Sequence, residues 1–230
     1  MQERATSLYP RAPIYFSLVL LTATIGFYSS YFSRLGKTDA VHHFHGLMAT
    51  AWILMLIVQG WLMRQRAMST HRAIGKISLL IAPLFVISGL LVIQTMLNAS
   101  NGFNKTYGAR LAFVDLSTMA YLSAAYVLAI ANRRNTPLHA RYMASTAILV
   151  LPPALARALA GLMPGVHSFD AAFHGAFVLT ELIVVALIVD DARQGKIRAP
   201  YLALLALILL QHASFVIIPH IAWWNRLLAH

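Results

Sequence analysis

The chain is predicted to be all-α, an integral membrane bundle of about seven transmembrane helices with its N-terminus inside and its C-terminus outside. Three observations predict this. The sequence is 59% hydrophobic and only 11% charged, with a mean hydropathy of +0.68, whereas a soluble domain carries about 25% charged residues. Its apolar residues fall in long runs, and a run of about 18 or more with few charges is long enough to cross a bilayer core. Its lysines and arginines fall mainly on alternate sides of those runs. Seven spans can be drawn, roughly 12–33, 44–63, 72–97, 108–131, 140–162, 169–190 and 199–221. Few residues remain for loops, so 1–230 reads as a single transmembrane domain.

The first run is long and lacks a clear small-residue cleavage site, so it reads as an uncleaved signal anchor; Tyr28 and Tyr31 close it as interfacial anchors. The second opens on Phe44-His45-Gly46 and ends at Trp61. The third follows His71-Arg72, and the fourth carries Asp115. The fifth opens on His139-Ala-Arg141 and holds Pro152-Pro153, which should kink it, because proline removes a helix hydrogen bond and clashes with the preceding turn. The sixth repeats the tripeptide of the second as Phe173-His174-Gly175 and carries Glu181. The seventh carries His212 and is followed by Trp223-Trp224.

Orientation follows from the positive charges. With the N-terminus inside, the inner side holds Arg4, Arg11, Arg64, Arg66, Arg72, Lys76, Arg133, Arg134, Arg141, Arg193, Lys196 and Arg198. The outer side holds Arg34, Lys37, Lys105, Arg110 and Arg226, and Arg157 lies within the fifth run. Membrane topology thus accounts for the formal net charge of +11, and nucleic-acid binding is not expected. The tight loops look bacterial, so the bacterial inner membrane is the expected location. Two glycosylation sequons, Asn98-Ala-Ser100 and Asn104-Lys-Thr106, fall in the expected outer loop 98–107; such short patterns arise often by chance.

Several chemistries are excluded. Cysteine is absent, which removes disulfides, thiolate ligands and cysteine nucleophiles. There is no HExxH, no Walker loop and no dinucleotide fingerprint. No lysine in the seventh span is available for a retinal Schiff base, and the HxxHH-type clusters of hydroxylases and desaturases are missing.

Ionisable residues inside a bilayer are costly and default to functional hypotheses. At about 1.5 Å per residue, His45, His174, Asp115, Arg157 and His212 all fall in the outer half, with Glu181 past the midplane. His45 and His174 enter at similar depth on parallel helices. Each precedes a glycine that would let a flat ring approach closely, so they are candidate ligands of one metal or iron porphyrin; read singly, each is an ordinary interfacial histidine. His71 and His139 form a similar candidate pair on the inner side, where they also read as groups contacting water and lipid phosphates. His42 lies three residues before His45 and would share its face, offering with His174 and His212 an outward metal site for Zn, Fe or Cu. Asp115 and Arg157 read as a buried ion pair or as an anion clamp.

The stretch from His42, HHFHGLMATAWILMLIVQGWLMRQRAMSTHRAIGKISLLIAPLFVISGLLV, with the later LHARYMASTAILVLPPALARAL, resembles the core of bacterial multi-helix membrane proteins of unknown function. The positions that carry the likeness are His45, His71, Arg72, Gly75, Gly89, His139, Met143 and Arg157, over roughly residues 42–160. The histidine layout is in turn loosely similar to the di-haem transmembrane cytochromes b that pass electrons from ascorbate to ferric iron. Those use four consecutive helices with two bis-histidine haems. Here the fourth helix has Asp115 and no histidine, so an outer partner would have to come from the sixth.

Three functions compete on these grounds. The first is a redox protein binding haem b, exchanging electrons with a quinone or another apolar small molecule, with Arg72, Arg141 or Arg157 neutralising propionates. The second is a non-haem metalloenzyme acting on a lipid-like substrate, with Asp115 or Glu181 as general base. The third is a small proton-coupled carrier, sensor or assembly factor.

Overall fold

The computed structural model describes residues 11–228. Arg4, counted above among the inner charges, lies outside the described residues. The described residues form ten α-helices: α1 (Ala12–Phe27), α2 (Ala40–Arg64), α3 (Met68–Gly75), α4 (Ser78–Asn98), α5 (Gly102–Ala131), α6 (Thr136–Ile148), α7 (Leu151–Leu162), α8 (Phe169–Arg193), α9 (Ala199–Ile217) and α10 (Ala222–Leu228). Short 3-10 turns at Phe32–Lys37 and Ile218–His220 join them. Six segments are long and apolar enough to cross a membrane, with Thr136–Leu162 counted as one; α1 is apolar but shorter. The chain is therefore a helical, multi-pass membrane protein.

Local chemistry sets most boundaries. Asp39 caps α2, which begins at Ala40, four residues before the expected start; its carboxylate accepts from the Val41 and His42 N–H groups at 3.0 Å. Asn101 caps α5 by accepting from the Asn104 N–H at 2.9 Å. The expected loop 98–107 is consequently much shorter, and Asn104 lies in the first turn of α5 with its amide donating to the Met96 carbonyl. The third expected run divides into α3 and α4. The fifth divides into α6 and α7 at Leu149-Val150, just before Pro152 and Pro153, which sit in the first turn of α7 where proline is tolerated.

Consecutive long helices pack side by side, and the bundle closes as a ring in the order α1, α2, α4, α5, α9, α8, α7 and back to α1. α6 lies within that ring, chiefly against α5 and α9, and also touches α1 and α2. The core is apolar and aromatic, with Trp52, Leu56, Phe177, Leu204, Ile208 and Phe215 almost fully buried. Polar groups inside are satisfied helix to helix: the Trp52 indole donates to Thr146 Oγ1 at 3.0 Å, and the Gln211 amide donates to the Val114 carbonyl at 3.1 Å. Large apolar side chains such as Leu80, Val127, Leu182 and Val216 point outward, a surface suited to lipid and not to water.

The α2–α4, α5–α6 and α8–α9 connections gather at one end of the bundle. Because Arg64, Arg66, Arg72, Arg133, Arg134, Lys196 and Arg198 lie there, it is called the basic end below.

Candidate functional site

At the basic end, α3 carries His71 and α6 carries His139, and their rings lie nearly perpendicular with centroids 6.5 Å apart. His139 Nδ1 lies 2.8 Å from the Ala129 carbonyl. A carbonyl only accepts, so Nδ1 holds a proton, and in the neutral ring Nε2 keeps a free lone pair. Such a backbone anchor is the usual outer-shell support of a ligating histidine. His71 Nδ1 is buried without a hydrogen-bond partner among the described residues, and so is the Oε1 of Gln59. Gln59 is itself buried, and its Nε2 donates to the His71 carbonyl at 3.2 Å. Burial, then the neighbouring His139 and Arg72 charges, hold the His71 imidazole below its ordinary range despite the opposing Gln59 contact. It is therefore neutral at pH 7, the form that binds metals.

Beside this pair, Arg141 and Asp191 make a fully buried ion pair joining α6 to α8, with the Arg141 Nε 2.9 Å from both carboxylate oxygens. Arg141 also donates to the Pro137 carbonyl. It is thus committed to Asp191, which leaves Arg72 as the cation beside His71.

At the opposite end the two Phe-His-Gly copies go separate ways. Ser88 donates to the Phe85 carbonyl at 2.7 Å, so the 3.1 Å contact between His45 Nδ1 and Ser88 Oγ has the imidazole as donor. His174 Nδ1 instead lies 2.8 Å from His212 Nε2, and His212 Nδ1 lies 2.7 Å from Glu181 Oε1. The glycines serve packing. A Cβ at Gly46 would strike the Tyr31 ring at 2.9 Å, and one at Gly175 would press on Leu159 at 3.1 Å. His42 turns away from His45 to the helix cap, 2.7 Å from Asp39. The candidate metal set His42, His45, His174 and His212 is therefore distributed over three separate hydrogen-bonded groups.

Asp115 and Arg157 make no contact ion pair among the described residues, yet each is a charge the other feels, so they lie near one another. Arg157 donates to the Pro153 carbonyl one turn back and stacks on Phe27, 4.5 Å from the ring centre. The helix break at Leu149-Val150 carries α7 towards α1, and with it this side chain. Asp115 is half-buried on α5 with no hydrogen bond among the described residues. Nearer the surface of this end, Tyr107 donates to Asp170 at 2.5 Å, and Arg110 lies 3.6 Å from the same carboxylate.

Three participants escaped the sequence reading: Gln59, Asp191 and Ser88. A lone amide inside LIVQGWLM was the available signal for Gln59. Nothing in the sequence matched Asp191 to Arg141 or Ser88 to His45.

Comparison of the chain with family models, curated proteins and solved structures gives no match.

Proposed function

We propose that the protein is a membrane-integral redox protein whose centre is held by His71 and His139 at the basic end. Its spans number seven, counting α1, with the basic end facing the cytoplasm of a bacterium. The observation that carries this reading is the close imidazole pair itself. One ring is fixed by a backbone carbonyl and the other has a buried, unpartnered nitrogen.

A haem b fits this donor set. Two neutral imidazoles are a ligand set that haem iron takes, and His71 and His139, with ring centroids 6.5 Å apart, would be the residues to hold it. When bound, haem supplies a one-electron carrier. The residues of the chain do the rest. His139 presents Nε2 because Ala129 holds Nδ1, Gln59 fixes the backbone at His71, and Arg72 places positive charge where a carboxylate-bearing cofactor would need it. A quinone or another apolar small molecule is the partner suited to a centre reached from the bilayer.

The test is haem and metal analysis of detergent-purified protein grown with haem in excess. About one haem per chain supports the reading. Protein free of haem under those conditions contradicts it.

A further inference from the structure

We propose that His174, His212 and Glu181 form a proton relay that loads the Glu181 carboxylate, deep in the bundle, from the end opposite the basic one. The inference is independent of any haem. Glu181 lies near the midpoint of the 25-residue α8, about 18 Å from its start at 1.5 Å per residue, and His174 lies about 8 Å from that start. His212 of α9 bridges them with contacts of 2.8 Å to His174 and 2.7 Å to Glu181.

The geometry sets the direction of every proton. With Glu181 ionised, its Oε1 can only accept, so His212 Nδ1 donates. His212 is then neutral with a lone pair on Nε2, so His174 Nδ1 donates to it. His174 Nε2, with no hydrogen bond among the described residues, is the entry point. A proton arriving from water forms a new N–H bond at that atom. The His174 Nδ1 proton moves to His212 Nε2, and the His212 Nδ1 proton moves to Glu181 Oε1. One proton has entered, Glu181 is neutral, and both imidazoles are neutral with their protons on Nε2. The same three transfers in reverse return the proton to water, empty Glu181 and restore the starting tautomers.

Two features favour transfer over simple helix adhesion. An ionised carboxylate near the bilayer centre is costly, and chains of Asp, Glu and His at such depths mark proton paths. The chain is also sheathed by aromatic rings that offer no competing acceptor: Phe177 lies 5.4 Å from His212, and Phe215 lies 5.6 Å from His174. Charged groups on the elements packed against α8 and α9 are engaged elsewhere or stand apart. Arg110 of α5 pairs with Asp170, Arg157 of α7 lies on Phe27, and Arg141 of α6 holds Asp191. His139 of α6 bonds Ala129, and Asp115 of α5 makes no ion pair among the described residues.

The experiment follows the infrared carbonyl band of protonated Glu181 after a rapid drop in external pH, using the full chain in phosphatidylcholine vesicles. The band is assigned by its loss in Glu181→Gln. In the unaltered protein it should rise quickly, and His174→Gln and His212→Gln should each slow its rise at least tenfold. An unchanged rate in either variant, or no Glu181 band at any pH, overturns the relay. A measurement that needs no variant is nitrogen-15 magnetic resonance of the imidazoles. At a pH where Glu181 is ionised, the proton on His212 should be on Nδ1; a proton on Nε2 alone overturns the proposed direction.

Discussion

His71 and His139 come from helices separated by two transmembrane passes, yet their rings stand 6.5 Å apart at the basic end of the bundle. Gln59 connects that pair to α2, donating to the His71 carbonyl while its own carbonyl oxygen is buried. Gln59→Leu keeps the volume and removes both polar functions. Loss of such outer support typically weakens a bound centre about 10–100-fold. We expect at least tenfold weaker haem retention in Gln59→Leu, read by transfer of haem to an apo-globin acceptor. Retention equal to that of the unaltered protein would remove Gln59 from the site.

The Arg141–Asp191 pair should behave as a buried ion pair. Removing one partner strands a charge in the core and costs about 3–5 kcal/mol. Arg141→Met is expected to lower the thermal midpoint in detergent sharply. Adding Asp191→Leu to it should recover much of that loss, because two apolar groups leave no unpaired charge. Equal destabilisation in the single and double variants would show that the pair's contribution is not electrostatic.

Gly26 is where α1 touches α7, and a Cβ there would land on the Ala154 carbonyl. Backbone cannot yield as a side-chain tip does, so Gly26→Ala should destabilise by about 1–3 kcal/mol through overpacking. Gly36→Ala, with nothing within 4 Å of its Cβ, is the control and should be nearly neutral. Thermal unfolding of the two variants side by side makes the comparison.

The cap of α2 should respond to acid. The His42 backbone N–H holds the Asp39 carboxyl below its ordinary range, helped by the His42 side chain and the Val41 N–H. A depressed folded-state pKa gives stabilisation that is present above the unfolded value and is lost as pH falls through the folded one. Amide hydrogen exchange at Val41 and His42 should therefore speed up, relative to neighbouring α2 amides, once pH drops below the usual carboxylate range. In Asp39→Asn, which caps without titrating, that pH dependence should vanish.

The long runs and the charge asymmetry made the membrane bundle legible, because bilayer thickness imposes a length and an apolar content that composition displays directly. The closeness of His71 to His139 was also legible, since both sit at helix starts beside basic turns. The tripeptide repeat misled. Phe44-His45-Gly46 and Phe173-His174-Gly175 do reach similar positions on parallel helices. However, helix rotation and ring order decide which neighbour an imidazole meets, and span-level sequence reading reports neither. His45 therefore meets Ser88 of α4, and His174 meets His212 of α9. Asp115 and Arg157 come near enough to interact as charges but not to touch: after the break before Pro152, Arg157 stacks on Phe27 of α1. Proline position signals a kink but not the direction it takes.

The most direct measurement is the reduced-minus-oxidised visible spectrum of the purified protein and of four variants, His71→Ala, His139→Ala, His45→Ala and His174→Ala. The expected result is a low-spin haem signature in the unaltered protein that is lost in His71→Ala and His139→Ala and retained in His45→Ala and His174→Ala. A signature that survives in the first two variants, or is absent from haem-replete protein altogether, would contradict the assignment of the centre to His71 and His139.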